Sequence, residues 1–94
     1  MINKYMLKEY INTEFADVYN LIDIKSIAIY TKVFGGNIIA DIIQIEWVGW
    51  WSNYNGTWIY SDNRTNQFNL DLYKEWLVDI RDKKLEELLD YTLD

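Results

Sequence analysis

The sequence contains no cysteine, histidine or proline, and only four of its 94 residues are glycine. The absence of cysteine and histidine excludes disulfides, thiol nucleophiles, Cys/His metal sites and Ser-His-Asp triads. The side chains that remain for chemistry are carboxylates, amines, hydroxyls and phenols. This small inventory predicts a binding protein rather than an enzyme, with no cofactor and no metal ion.

Positive charge and long apolar runs are also scarce. Nine basic residues stand against fifteen acidic ones, and the net charge of −6 argues against direct binding of nucleic acid or of an anionic membrane. The longest apolar stretch, residues 38–45, is interrupted by Asp41 and Gln44 and is too short to cross a bilayer. Half of the residues are nevertheless apolar, so we expect a single packed domain over residues 1–94, located in the cytoplasm of a bacterial host.

The hydrophobic periodicity of the first half predicts a helix followed by two strands. A stripe with helical spacing over residues 3–22 predicts one helix or two short ones, and its members are Leu7, Ile11, Phe15, Val18 and Ile22. Alternating β-branched residues predict a strand from Ser26 to Phe34. The sequence Gly35-Gly36-Asn37 predicts a tight hairpin, and a second strand then runs from Ile38 into the Trp47 region.

The second half predicts a third strand and then a return to helix. Asn55-Gly56 is typical of a type I′ turn, and a two-residue loop there pairs Trp51 with Tyr60 and places Trp58 on the same face. Residues 61–69 are polar and predict a connection.

Asn69 is the predicted N-cap of the C-terminal helix, with Asp71 in its first turn, where the helix dipole favours an anion. The segment is either one long helix or two short ones broken at residues 81–83. The predicted fold is therefore of the α+β class: a three-stranded antiparallel β-meander with an N-terminal helix and one long or two short C-terminal helices, in the order α-β-β-β-α.

Six acidic residues in the last quarter of the chain repeat with the spacing 4-4-3-4-4, which is the period of one helical face. They are Asp71, Glu75, Asp79, Asp82, Glu86 and Asp90. The ordinary interpretation is a solvated outer face. However, like charges four residues apart repel each other, and lysine does not alternate with the acids on this face. The row therefore also predicts a surface that imitates a nucleic-acid strand and fits a basic groove on a protein partner.

Aromatic residues cluster around the predicted second hairpin, and they form the second candidate binding feature. The ordinary interpretation is that large rings fill the core of a small domain. Because side chains alternate along a strand, consecutive Trp50 and Trp51 point to opposite sides, so one of them is a candidate for exposure. We predict that Trp50, Trp51 and Tyr54 contribute to partner binding, since exposed Trp and Tyr often anchor interfaces.

Three short segments, residues 60–64, 74–76 and 13–15, resemble pieces of the colicin DNase immunity proteins. Those proteins are small acidic four-helix inhibitors that bind a nuclease through acids and tyrosines. The resemblance covers a small part of the chain. The proline and second tyrosine of that family's signature are absent, and residues 26–60 predict sheet rather than helix. The sequence therefore identifies no family.

The leading hypothesis is a small acidic inhibitor, encoded by a phage or mobile element, that occludes the basic nucleic-acid-binding surface of a bacterial defence nuclease. Its role would be of the anti-CRISPR or anti-restriction kind. One alternative is an immunity protein or antitoxin that neutralises a basic toxin. Another is a carbohydrate-binding module that uses the Trp/Tyr hairpin.

Overall fold

The structure is a computed structural model that describes residues 2–93, with side chains described as far as residue 84. Its elements are α1 (Lys4–Glu14), β1 (Tyr19–Phe34), β2 (Asn37–Ser52), β3 (Trp58–Asn69) and α2 (Leu70–Leu93). The three strands form one antiparallel sheet in the order β1-β2-β3. The predicted α-β-β-β-α arrangement is confirmed. Within the described residues, no helix combines the length and the apolar character needed to span a bilayer.

The N-terminal helix is shorter than the apolar stripe predicted. Asn3 caps α1, and its side-chain oxygen accepts hydrogen bonds from the backbone N–H groups of Tyr5 and Met6. The helix ends at Glu14, and residues 15–18 turn the chain into β1. Asn12 fixes this turn, because its amide donates to the carbonyl oxygen of Leu21 and accepts from the N–H of the same residue. The helical spacing of residues 18 and 22 was therefore coincidental.

The loop of the second hairpin has three residues rather than two. The N–H of Gly56 donates to the carbonyl oxygen of Asn53, and Gly56 adopts a φ of 75°, whereas no residue other than glycine has a positive φ in the described chain. A type I′ turn needs positive φ at two residues, so the predicted turn is wrong. The Asn53 side chain instead accepts from the N–H groups of Asn55 and Thr57 and stabilises the longer loop.

The longer loop shifts the predicted strand pairing by one residue. Trp50 lies opposite Tyr60, and Ser52 lies opposite Trp58. These three aromatic residues therefore share one face of the sheet, and Trp51 lies on the other face. The polar residues 61–69 are part of β3 and not a connection.

The C-terminal helix is continuous from Leu70 to Leu93, with no break at residues 81–83. The N–H of Leu72 donates to the side-chain oxygen of Asn69, which confirms Asn69 as the cap. Asp71 lies in the first turn as predicted.

Both helices pack on the same face of the sheet and cover only part of it. Alternate residues of β2, namely Ile43, Ile45 and Trp47, are completely buried beneath the helices. The rest of the buried core consists of Leu7, Tyr10, Ile11, Leu21, Ile24, Phe68, Leu70 and Tyr73. The indole N–H of Trp47 donates to Asn66 at 2.8 Å, so the one polar atom of this ring is satisfied. No element of the described chain covers the opposite face, so this domain has two layers.

Candidate protein-binding site

The outer face of α2 presents the first four acids of the predicted row. Asp71, Glu75, Asp79 and Asp82 are all exposed. Within residues 2–84, the structure contains a single ion pair, between Lys4 and Asp23, so none of these four carboxylates is neutralised by a direct partner there. Glu86 and Asp90, the last two acids of the row, lie outside the described side chains.

Basic residues accompany the acids on the described part of α2. Residues 70–84 contain four acids and four bases, and the bases are Lys74, Arg81, Lys83 and Lys84. All four bases are exposed. The described part of the helix thus has no net charge, and its acidic character is confined to one face. The net negative charge of the helix comes from the sequence beyond residue 84.

The acidic face borders a groove of about 370 Å³ between α1 and α2. Glu75 and Asp79 lie on its α2 side, and Glu14 from the end of α1 lies on the other side. The remaining lining residues are Tyr10, Phe15, Leu72 and Trp76. Three carboxylates therefore surround an aromatic floor.

The aromatic floor is fixed by ring contacts. The Tyr10 ring lies 5.3 Å from that of Trp76 and 5.8 Å from that of Phe15, measured between ring centroids. Tyr73 stacks on Trp76 from the core side. The base of the groove is therefore apolar and made of rings that pack against one another.

Burial and negative charge act together on the phenol at the floor of the groove. Burial raises the pKa of the Tyr10 phenol, and the negative charge of Glu14 raises it further. Both effects disfavour a second negative charge at this position. The charge of Glu14 acts in the opposite direction on a cationic side chain: the carboxylates attract it, and the rings accept its alkyl stem.

The sequence predicted Glu75 and Asp79 but missed Glu14. Glu14 is the last residue of α1, so it does not belong to a row of acids repeating along a helix, and no pattern in the sequence selects it. Only the packing of α1 beside α2 brings Glu14 to the acidic face. Trp76 was likewise missed, because its spacing from Tyr73 fits an ordinary core stripe.

The three aromatic residues predicted to bind a partner lie in different places. Trp50 lies on the uncovered sheet face, where its ring meets that of Tyr60 edge-on at 5.4 Å. Trp51 packs on the core face, and the guanidinium carbon of Arg64 lies 3.9 Å above its ring centre. Tyr54 is fully exposed in the hairpin loop. The structure therefore does not bring these residues together with one another or with the acidic groove.

The uncovered sheet face carries its own aromatic patch. Trp50, Trp58 and Tyr60 are each about half exposed. The strand register described above places all three on this face. Sequence reasoning identified these rings but placed Trp51 among them in error.

Residues 2–84 contain no cluster of three or more carboxylates close enough to hold a metal ion. Comparison of the chain with protein-family models, curated proteins and solved structures gives no match.

Proposed function

We propose that this protein is a small acidic inhibitor that binds the basic nucleic-acid-binding surface of a bacterial defence nuclease and blocks access of the nucleic acid. The proposed source is a phage or mobile element, and the proposed role is of the anti-CRISPR or anti-restriction kind. The observation that carries the proposal is the groove between α1 and α2, where Glu14, Glu75 and Asp79 surround an aromatic floor.

This groove has the chemistry that a lysine or arginine side chain requires. Nucleic-acid-binding proteins present such side chains toward phosphates spaced along the backbone. In the groove, carboxylates would take the place of phosphates, and the ring of Trp76 would contact the alkyl part of the side chain. Asp71 and Asp82 extend the negative face along α2 and would meet neighbouring basic residues of the partner.

The test compares two variants with the same net charge. Glu75→Lys/Asp79→Lys (E75K/D79K) reverses two charges of the groove, whereas Glu9→Lys/Glu46→Lys (E9K/E46K) reverses two exposed acids elsewhere, one on α1 and one on the uncovered sheet face. Each protein is added to DNA-binding and cleavage assays with a panel of purified CRISPR effectors and restriction nucleases.

We expect the wild-type protein to inhibit a member of the panel and E75K/D79K to lose at least about tenfold in inhibitory potency, equivalent to about 1.4 kcal/mol. E9K/E46K should retain inhibition. The wild-type affinity should also fall as salt rises from about 0.05 to 0.5 M, because screening shortens the range of the attraction. Equal inhibition by both variants would show that the groove is not the binding site.

A further inference from the structure

The end of the first hairpin projects beyond the rest of the fold. Strands β1 and β2 remain paired as far as Phe34 and Asn37, but β3 pairs with β2 only from Ile42 onward. Residues 31–41 therefore form a two-stranded ribbon, and we call this ribbon together with Ile29 and Tyr30 at its base (residues 29–41) the arm. None of its residues is buried.

The arm exposes an unusual amount of apolar surface. Its exposed large apolar residues are Ile29, Tyr30, Val33, Phe34, Ile38 and Ile39. Phe34 is 77% exposed and Ile38 is 75% exposed. Because side chains alternate along a strand, this apolar surface is divided between the two faces of the ribbon, with Ile29 and Val33 on one face and Tyr30 and Phe34 on the other. Such a surface is expected to be covered by a partner.

An apolar groove opens at the base of the arm. It has a volume of about 430 Å³ and is separate from the acidic groove, with which it shares no lining residue. Ile29 belongs both to the arm and to this second groove. The other lining residues are Ile2, Asn3, Met6, Leu70, Tyr73, Lys74 and Leu77. The arm and the groove thus form one continuous apolar surface.

The charge distribution favours a second copy of this chain as the partner. The whole chain carries a net charge of −6, so two copies repel each other over most of their surfaces. The arm contains one base, Lys32, and one acid, Asp41, so its net charge is zero. Asp41 already accepts a hydrogen bond from the hydroxyl of Thr31. A basic partner would find little to bind there, whereas two arms can meet without like-charge repulsion.

The dimensions of the arm also fit a twofold arrangement. Residues 29–34 span roughly 17 Å at about 3.3 Å per residue. When two arms lie antiparallel, the tip of each arm reaches the base of the other, where the apolar groove opens. Each copy would then contribute one face of its arm, the arm tip and its apolar groove to the interface, so the exposed tip and the groove are covered together.

We propose that two copies of this chain form a twofold-symmetric dimer through antiparallel packing of their arms, with Phe34 of each copy in the apolar groove of the other. The contact occurs twice, as symmetry requires. Ile29 lines the groove that receives Phe34 of the other copy, and Val33 and Ile38 lie beside Phe34 at the arm tip. This interface leaves the acidic groove uncovered, because the two grooves share no lining residue. The dimer can therefore be tested independently of the proposed inhibitory function.

The first test measures mass in solution by light scattering after size exclusion. Phe34→Lys/Ile38→Lys (F34K/I38K) adds two charges to the arm, and Tyr5→Lys/Val78→Lys (Y5K/V78K) adds two charges at exposed apolar positions of the helices. All four positions are exposed, and circular dichroism checks that each variant is folded. We expect dimers for the wild-type protein and Y5K/V78K, and monomers for F34K/I38K. Any other combination of masses overturns the proposal.

The second test uses the absence of native cysteine. Phe34→Cys/Met6→Cys places one thiol at the arm tip and one in the apolar groove, and Phe34→Cys/Val78→Cys is the matched control. Under mild oxidation we expect a disulfide-linked dimer for the first protein and little for the control. Equal cross-linking of the two proteins, or none in either, overturns the proposed arrangement even where the wild-type protein is dimeric.

Discussion

Gly49 occupies a position in β2 that no other residue fits. A Cβ atom at this position would lie 2.5 Å from the carbonyl oxygen of Asn20 and 2.9 Å from the backbone nitrogen of Ile22. The register of β2 with β1 and its register with β3 both shift immediately before Gly49, so the chain of β2 bends here between its two partners. The close approach of β1 and the bend therefore both depend on the missing side chain.

We expect Gly49→Ala to lower the free energy of unfolding by about 2–4 kcal/mol, because the backbone of β1 must move to admit the methyl group. Gly36→Ala is the matched control. It also lies at positive φ, but no atom lies within 4 Å of the place that its new methyl group would take, so its cost should be about 1 kcal/mol. Urea unfolding monitored by tryptophan fluorescence measures both. Equal losses for the two variants would contradict this role for Gly49.

At the scale of single residues, the sequence predicted local roles such as helix capping better than it predicted which side chains contact each other. Asn69 was correctly predicted as a cap, because capping depends on the residue and its immediate neighbours. The face on which Trp51 lies was predicted wrongly, because one extra loop residue reverses the alternation of the strand. That extra residue reflects the hydrogen bonds of the Asn53 side chain, which the turn dipeptide alone does not reveal.

At the scale of elements, the contact between α1 and α2 is built from aromatic rings. Tyr10 of α1 packs against Tyr73 and Trp76 of α2, with ring centroids 5.2 and 5.3 Å apart. Burial raises the pKa of both Tyr10 and Tyr73 above the ordinary value of 10.0. The folded protein therefore retains these two phenolic protons more strongly than the unfolded chain does.

This difference predicts a loss of stability in alkali. The contribution of the two phenols is complete below about pH 10 and is lost as the pH rises from there through the raised pKa of the folded state. Tyr10→Phe/Tyr73→Phe should flatten the decline, and Tyr5→Phe/Tyr54→Phe, at two exposed positions, should leave it unchanged. Thermal unfolding followed by circular dichroism across this pH range provides the measurement. An unchanged decline in the first variant would show that another group is responsible.

The order of the elements was predictable, but several of their boundaries were not. Helical and alternating periodicities differ enough to separate helix from strand over long segments. The boundary between α1 and β1 was missed because apolar residues continued at helical spacing through the turn, and the Asn12 side chain fixes that turn through a tertiary contact. Residues 61–69 of β3 were missed because polar side chains occupy both faces of this edge strand, including Arg64 and Asn66, which lie partly buried against Trp51 and Trp47.

At the scale of the whole molecule, the acidic groove and the apolar arm are separate features of one small sheet. The sequence predicted two of the three carboxylates in the acidic groove, since they repeat along one helix, and it missed the third, which tertiary packing supplies. The arm was predicted as a hairpin, but its exposure was not, because alternation alone does not reveal how far the helices extend over a sheet.

The body of the protein should fold without the arm. No residue of the arm belongs to the buried core, and Thr31 lies directly opposite Asp41, so a two-residue turn can join them. Replacement of residues 32–40 by Asn-Gly should therefore change the free energy of unfolding by less than about 1 kcal/mol relative to monomeric F34K/I38K, because closing a shorter loop offsets the lost strand pairs. F34K/I38K is the appropriate reference, since a dimer gains stability with concentration. Urea unfolding at two protein concentrations makes the comparison. A loss of several kcal/mol would place the arm within the cooperative core rather than beside it.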